Sequence, residues 1–165
     1  MTVTVSIDDP DAMARLGATI AAELQAGDVV LLSGELGAGK TTLTRGLGAA
    51  LGVRGTVTSP TFVLARTHQR DGAPPLVHVD AYRLSGADEL DDLDLDLAHS
   101  IVVIEWGAGL IEHLVDEWLA VTIDRPTGAR ADLDPDGALI EPRTVTITGI
   151  GPRWRNLGWL HAARD

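Results

Sequence analysis

The chain has 165 residues, of which 45% are hydrophobic and 22% charged, a composition typical of a folded globular protein and not of a disordered one. Its 13 basic and 24 acidic residues give a net charge of −11, which repels phosphate backbones and argues against autonomous nucleic-acid binding. Cysteine is absent, which excludes disulfides, thiolate zinc sites and cysteine nucleophiles. The length suits one domain spanning residues 1–165.

The start of the chain bears on localisation. Residues 1–12 carry neither the positive segment nor the apolar core of a secretory leader. No apolar window approaches the roughly 18 residues that a membrane-spanning helix needs. We therefore expect a cytoplasmic protein that makes no membrane contact.

The first third of the chain predicts two strands, each followed by a helix. Residues 2–6 alternate as a short strand does, and Asp9 before a proline is typical of a helix start. Apolar spacings of three and four predict a helix over residues 11–24. The unbroken apolar run in residues 28–33 fits a strand covered on both faces, and leucines every four positions predict a helix over residues 41–51.

The middle of the chain predicts a hairpin and an acidic helix. Residues 61–69 and 76–84 are two β-prone runs, and the Asp-Gly and Pro-Pro breakers between them favour an antiparallel hairpin. Residues 88–97 carry six acids, with leucines at helical spacing. We interpret them as a short helix with a solvated face, and an acidic docking surface is the alternative.

The last third predicts three further strands. Residues 101–104 form a second unbroken apolar run, and a helix is expected over residues 110–116. Residues 118–124 and 143–148 alternate as strands do, whereas prolines and glycines mark residues 126–142 as a mobile polar loop. Together the elements predict an α/β fold of the P-loop NTPase class. It has a largely parallel sheet, helices on both faces and an inserted antiparallel hairpin.

Residues 34–41 read GELGAGKT and match the phosphate-binding motif G-x-x-x-x-G-K-[ST] in full. They lie between a predicted buried strand and a helix, the context that this motif requires. Lys40 is the only lysine in the chain, and it falls where the motif demands lysine. The motif predicts that Lys40 contacts the β- and γ-phosphates and that the Thr41 hydroxyl binds Mg²⁺. An ordinary glycine-rich turn is the alternative.

Two carboxylates are candidates for the magnesium site. Asp80 and Glu105 each follow an apolar run, as expected of acids at strand ends beside a phosphate-binding loop. The alternative is that each caps its strand and pairs with an arginine. His78 is assigned no chemistry, because a lone strand histidine is usually a core residue. Residues 58–61 are either a nucleotide-sensing loop or a simple Ser-Pro turn.

The phosphate-binding motif occurs in several classes of nucleotide-binding protein. A guanine-specific N-K-x-D element cannot occur in its ordinary form, since no lysine follows Lys40, and a GTPase is therefore disfavoured. A small-molecule kinase stays an alternative, with Asp80 and Arg83 as its acid and arginine. A nucleotide-gated binding module without turnover is a further alternative.

Four motifs in this order resemble one family, the small bacterial ATPases of tRNA threonylcarbamoyladenosine biosynthesis. They are GELGAGKTT at 34–42, TSPTF at 58–62, HVDAYRL at 78–84 and IEWG at 104–107. The likeness extends from Ser6 to about Asp124. The first motif alone indicates only a superfamily, whereas the combination is specific.

The resemblance implies an ATPase that uses ATP and Mg²⁺ and works with a two-protein threonylcarbamoyl transferase complex. That complex modifies the adenosine beside the anticodon, and hydrolysis would reset it, so that contact with tRNA is indirect. The resemblance implies a metal set of Thr41, Asp80 and Glu105, of which the two acids serve the metal and the attacking water. The implied nucleotide contacts are Gly37, Ala38, Gly39, Lys40, Thr41, Thr42 and, from a switch-like loop, Thr61.

Two features remain open at this stage. Trp106 belongs to the fourth motif, although packing explains it equally well. The segment Arg153, Trp154 and Arg155 matches no motif of the family. It is either a contact for adenine, a partner or RNA, or a surface helix with a buried aromatic face.

Overall fold

A computed structural model describes residues 1–35, 37–58, 60, 64–125, 132–133, 139–140 and 142–164. The α-helices in these residues are α1 (Pro10–Ala21), α2 (Lys40–Leu51) and α3 (Ala87–Asp91). The strands are β1 (Thr2–Ile7), β2 (Val29–Gly34), β3 (Ala65–Arg70), β4 (Ala73–Asp80), β5 (Ile101–Glu105), β6 (Trp118–Asp124), β7 (Asp132–Leu133), β8 (Leu139–Ile140) and β9 (Arg143–Ile150). Short 3₁₀ turns cover Ile111–His113, Pro152–Trp154 and Gly158–Arg164.

Seven strands form one mixed sheet in the order β1-β9-β6-β2-β5-β4-β3. The four central strands β6, β2, β5 and β4 are parallel. Strand β3 is antiparallel to β4 at one edge, and β9 is antiparallel to both β6 and β1 near the other. Strand β1 therefore runs with the central four. The predicted α/β class and the largely parallel sheet are confirmed at this level.

The unbroken apolar run of β2 is buried on both faces of the sheet, as the sequence predicts. Val30 and Leu32 face α1 and α2, whereas Val29 and Leu31 face the opposite side. Both long helices thus lie on one face. The other face is covered by α3 and by the 3₁₀ turn around Ile111. The helix predicted over residues 110–116 is wrong in type, since only this 3₁₀ turn forms there.

Helices α1 and α2 cross at very short range because both carry glycine at the crossing. A Cβ atom on Gly17 would lie 2.2 Å from the backbone oxygen of Leu43. A Cβ atom on Gly46 would lie 2.2 Å from the backbone oxygen of Ala14. No larger residue fits at either position without separating the helices. The close packing of the two helices therefore sets the position of Lys40, the first residue of α2.

The predicted hairpin forms, but its second strand is a central strand of the sheet. Strands β3 and β4 pair around Asp71 and Gly72, and Gly72 has a positive φ of 67°. Strand β4 also pairs in parallel with β5. The insertion therefore adds β3 as an edge strand and brings the end of β4 beside the end of β5.

The acidic segment is a five-residue helix followed by turns, with Leu90 buried and Asp91, Asp92 and Asp94 exposed. This arrangement agrees with the interpretation as a solvated face.

The segment after β9 returns to the core. Trp154 is buried, and the Arg153 guanidinium contacts the Asp28 carboxylate at 2.9 Å and the Glu23 backbone oxygen at 2.6 Å. Asp28 lies just before β2, at the end of that strand remote from Gly34. The buried-aromatic interpretation of this segment therefore agrees with the structure.

The loop predicted over residues 126–142 falls largely outside the described residues, apart from the paired strands β7 and β8. Within the part of the chain that the structure describes, no helix is long and apolar enough to cross a membrane.

Candidate functional site

The candidate site lies where β2, β4 and β5 end side by side. Gly34, Asp80 and Glu105 are the last residues of these three strands. Asp80 is the register partner of Glu105, and Leu32 of β2 is the partner of Glu105 on its other side. Ligands of open α/β sheets bind outside these carboxyl ends.

The glycine-rich loop, residues 34–41, connects β2 to α2; Leu36 within it lies outside the described residues. Gly37 and Gly39 have φ values of 78° and 117°, in the left-handed region that favours glycine. Gly39 is the N-cap of α2 and, as a glycine, offers no side chain to cap the helix. The first backbone N–H groups of α2 are therefore suited to an anion.

Lys40 is held inside the loop that precedes it. Its Nζ donates to the backbone oxygen of Gly34 at 2.6 Å and to that of Glu35 at 3.3 Å. The same atom lies 4.2 Å from the centroid of the Trp106 ring. The side chain is buried, and burial lowers the pKa of Lys40 while the carboxylates of Glu105 and Asp80 oppose that shift. The sequence motif and the structure thus agree on its position.

The two candidate acids have unequal surroundings. Glu105 is 4% exposed, and its Oε2 lies 2.8 Å from Nε2 of His78. Asp80 is half-buried, and its Oδ1 accepts the backbone N–H of Tyr82 at 3.0 Å. Asp80 and Glu105 are register partners at the ends of β4 and β5, and the charge of each opposes the lowering of the Lys40 pKa. Asp80 is the more accessible of the two acids.

An aromatic pair borders the lysine. The rings of Tyr82 and Trp106 meet edge to face with centroids 5.2 Å apart, and both side chains are exposed. Trp106 has a φ of 60°, which a bulky residue adopts only when its surroundings hold it there. The contacts of the Trp106 ring with Tyr82 and with the Lys40 ammonium account for a tryptophan at this position of the fourth motif.

A pocket of about 140 Å³ lies beside the glycine-rich loop. It is lined by Gly37–Gly39 and Thr42 on one side and by residues around the start of α1, including Asp9 and Met13, on the other. Arg143 completes it, and its Nε donates to the backbone oxygen of Ala38 at 3.0 Å. The sequence analysis missed Asp9, Met13 and Arg143 as site residues. Only the tertiary fold brings the start of β9 to a loop 105 residues earlier.

Three threonines complete the predicted site residues. Thr41 and Thr42 follow Lys40 in the first turn of α2, and Thr42 lines the pocket. Thr61 lies outside the described residues. A hydroxyl and two carboxylates are the oxygen donors that Mg²⁺ prefers, so the chemistry of Thr41, Asp80 and Glu105 fits that ion.

Comparison with known proteins identifies the family of this chain. Residues 7–131 match the family model described as "Threonylcarbamoyl adenosine biosynthesis protein TsaE". A relative from Streptomyces coelicolor, named tRNA threonylcarbamoyladenosine biosynthesis protein TsaE, is 60% identical over 146 residues, covering 86% of this chain and 93% of its own. A relative of the same name from Bacillus subtilis is 36% identical over 157 residues, covering 93% of this chain and 88% of its own.

A solved structure is also similar. The crystal structure of Bacillus subtilis YdiB superposes with a TM-score of 0.70 at 28% sequence identity, covering 99% of this chain and 94% of that one. The family match spans the glycine-rich loop, both carboxylates and the aromatic pair. The resemblance inferred from the four motifs is thereby confirmed, and the chain belongs to the TsaE family of threonylcarbamoyl adenosine biosynthesis proteins.

Proposed function

We propose that this protein is a Mg²⁺-dependent ATPase of tRNA threonylcarbamoyladenosine biosynthesis, in which ATP hydrolysis resets a two-protein threonylcarbamoyl transferase complex. One observation carries the proposal. The only lysine of the chain lies at the end of a glycine-rich loop, beside two carboxylates that end adjacent strands. Lysine, loop amides and strand-end acids are the parts that phosphoryl transfer to water requires.

The loop would hold the phosphates. The uncapped N-terminus of α2 and the backbone of Gly37–Gly39 offer N–H donors, and the helix dipole favours negative charge there. Lys40 now donates to the Gly34 and Glu35 carbonyls, and it would exchange these contacts for β- and γ-phosphate oxygens. The nearby carboxylates favour its charged form, which this contact needs.

Thr41, Asp80 and Glu105 would hold the magnesium ion, which neutralises charge on the β- and γ-phosphate oxygens when bound. The carboxylates have a second task, to orient the attacking water. Glu105 is suited to a fixed orientation because it is buried at the end of its strand. Asp80 is half-buried and so remains open to a ligand.

The pocket between the loop and the start of α1 would receive the nucleoside. It adjoins Gly37–Gly39, so that a phosphate chain on the loop leads directly into it. Met13 offers an apolar surface to a base, and Arg143 a cation on its rim. This placement explains why residues far apart in sequence meet there.

The name of the relatives supports the pathway, and the charge of the chain supports an indirect role in it. A net charge of −11 opposes tRNA binding by this protein alone, so the transferase complex would supply the RNA surface. ATP hydrolysis would then act on that complex and not on the nucleoside directly.

Phosphate release tests the proposal. The purified chain is assayed alone, with the two transferase subunits, and with subunits and tRNA, while modified adenosine is counted per transferase. We expect slow release alone, faster release with the subunits, and repeated modification only when ATP is hydrolysed. The Lys40→Ala variant is the matched control and should release no phosphate.

Three results would contradict the proposal. ADP formation that requires a small-molecule acceptor would indicate the kinase alternative. Nucleotide binding without phosphate release in the presence of both subunits would indicate a binding module. Multiple rounds of modification with Lys40→Ala would show that hydrolysis does not reset the transferase.

A further inference from the structure

His78 is buried inside the candidate site and has no role in the function proposed above. It lies on β4, two residues before Asp80, and is 0% exposed. Its Nε2 lies 2.8 Å from Oε2 of Glu105 on the neighbouring strand. Its other ring nitrogen, Nδ1, is buried and finds no hydrogen-bond partner among the described residues.

This arrangement gives His78 one polar contact. A buried polar group without a partner destabilises the folded state by about 1–3 kcal/mol, so an imidazole with an unpaired nitrogen is a poor choice for packing alone. The neighbouring positions of the same core are filled by Leu76 and Val103, which carry no such cost. The contact that distinguishes histidine here is the one to Glu105.

The contact also determines where the proton lies. A carboxylate only accepts hydrogen bonds, so the imidazole must carry its proton on Nε2 to make this bond. A proton on Nδ1 would be buried without an acceptor among the described residues. His78 is therefore the donor to Oε2 of Glu105.

Glu105 is held through both its backbone and its side chain, by the residue that follows β4 and by His78 within β4. The backbone oxygen of Glu105 accepts the Ala81 N–H at 2.9 Å, and the side chain accepts from His78. A glutamate side chain has three rotatable bonds, and a free carboxylate would have to lose that freedom whenever it acts. With Oε2 occupied by His78, Oε1 is the oxygen left for a ligand or a water molecule.

We propose that His78 is a positioning residue, which fixes the Glu105 carboxylate for its role at the phosphate end of the site. The inference rests on the proposed function for what Glu105 does, but the hydrogen bond itself does not depend on it. Partners that orient a metal-binding or catalytic carboxylate typically change activity by about 10–100-fold when they are removed.

Three variants test the role by kinetics with the transferase subunits present. We expect His78→Leu to lower the turnover of ATP about tenfold or more, with ATP affinity changed less than twofold. His78→Gln keeps a side-chain N–H donor and should recover most of the lost rate. His68→Leu is the matched control: it is another buried strand histidine with an unpaired nitrogen, and within the described residues it makes no hydrogen bond to Glu105. Its turnover should be unchanged.

A second measurement is independent of activity. The ¹⁵N spectrum of the imidazoles in nucleotide-free protein should show Nε2 of His78 protonated and Nδ1 unprotonated. Glu105→Gln should shift the His78 resonances and leave those of exposed His99 unchanged. This measurement uses the intact parent chain, so it holds even where His78→Leu fails to fold.

The outcomes separate the two proposals. If the parent chain releases no phosphate with its partners, the proposed function fails, and the imidazole spectrum alone decides whether His78 orients Glu105. An unprotonated Nε2 would overturn the positioning role, because it could not donate to Glu105. Equal losses of rate in His78→Leu and His78→Gln, or an equal loss in His68→Leu, would also overturn it.

Discussion

Gly17→Ala tests the close crossing of α1 and α2 on which the position of the loop depends. The added methyl carbon would lie 2.2 Å from the Leu43 backbone oxygen and 2.8 Å from the Leu47 backbone nitrogen. Both are main-chain atoms of α2, which cannot rotate away as a side chain can. To reach 3.0 Å from the oxygen, the helices must separate by at least about 0.8 Å at this point.

The change in the free energy of unfolding of Gly17→Ala is the sum of two opposing contributions. Overpacking a well-packed core typically destabilises by about 1–3 kcal/mol, and a clash with backbone belongs at the upper end of that range. Alanine in a helix interior recovers about 1 kcal/mol relative to glycine. We therefore expect a net loss of about 2 kcal/mol in the free energy of unfolding. For a chain of this size, that loss corresponds to a Tm about 4–8 °C lower.

Urea and thermal unfolding of parent and variant measure this loss. Gly86→Ala is the control, since the backbone there is extended and no atom lies within 4 Å of the added carbon. It should change stability by no more than about 0.5 kcal/mol. A Gly17→Ala protein as stable as the parent would refute the close crossing. Because α2 begins at Lys40, the shifted helix should also lower the rate of ATP hydrolysis.

Four further predictions concern charge. Lys40→Ala should remain folded and lose ATP hydrolysis, because β- and γ-phosphate charge is left uncompensated; phosphate release and an unfolding curve measure both. Glu105→Ala and Asp80→Ala should reduce hydrolysis more than nucleotide binding, and equal losses of rate and affinity would indicate structural roles instead. Burial, with His78 and Arg66 nearby, lowers the pKa of His68 in the folded state. The unfolded chain then binds more protons than the folded chain below about pH 6.5, so stability falls as pH drops through that value. In His68→Leu, urea unfolding at pH 7 and pH 5 should show a smaller fall than in the parent. Finally, filter binding should detect no tight, salt-resistant complex between the isolated chain and tRNA.

Sequence patterns predict the central strands and the glycine-rich loop because their signals are local. The apolar run of β2 and the motif at residues 34–41 need no tertiary information, and both lie where predicted. Strand β6 begins and ends at the predicted residues. Local patterns also place Asp80 and Glu105 at one edge of the sheet, since each is the last residue of a parallel strand.

Local sequence patterns do not predict features that depend on the packed fold. The pocket joins the glycine-rich loop to the start of α1 and to Arg143, three segments that no motif connects. The helix predicted over residues 110–116 shortens to a 3₁₀ turn, in which Ile111 is buried against the sheet. Lone histidines are uninformative in sequence, and only the register of β4 against β5 brings His78 to Glu105.

One chain of contacts links both carboxylate strands to the lysine. Asp80 accepts the Tyr82 N–H, which turns the chain so that the Tyr82 ring meets Trp106, and Trp106 in turn lies over the Lys40 ammonium. Trp106 directly follows Glu105 and holds a left-handed backbone conformation, which for a bulky residue raises its conformational energy by about 1–2 kcal/mol. A cation near an aromatic face contributes about 0.5–2 kcal/mol, comparable with that cost. If Lys40 turned to a phosphate, it would leave the Trp106 ring, and the loss of that contact would act on the residue next to Glu105. The arrangement of the aromatic pair therefore depends on where the lysine points.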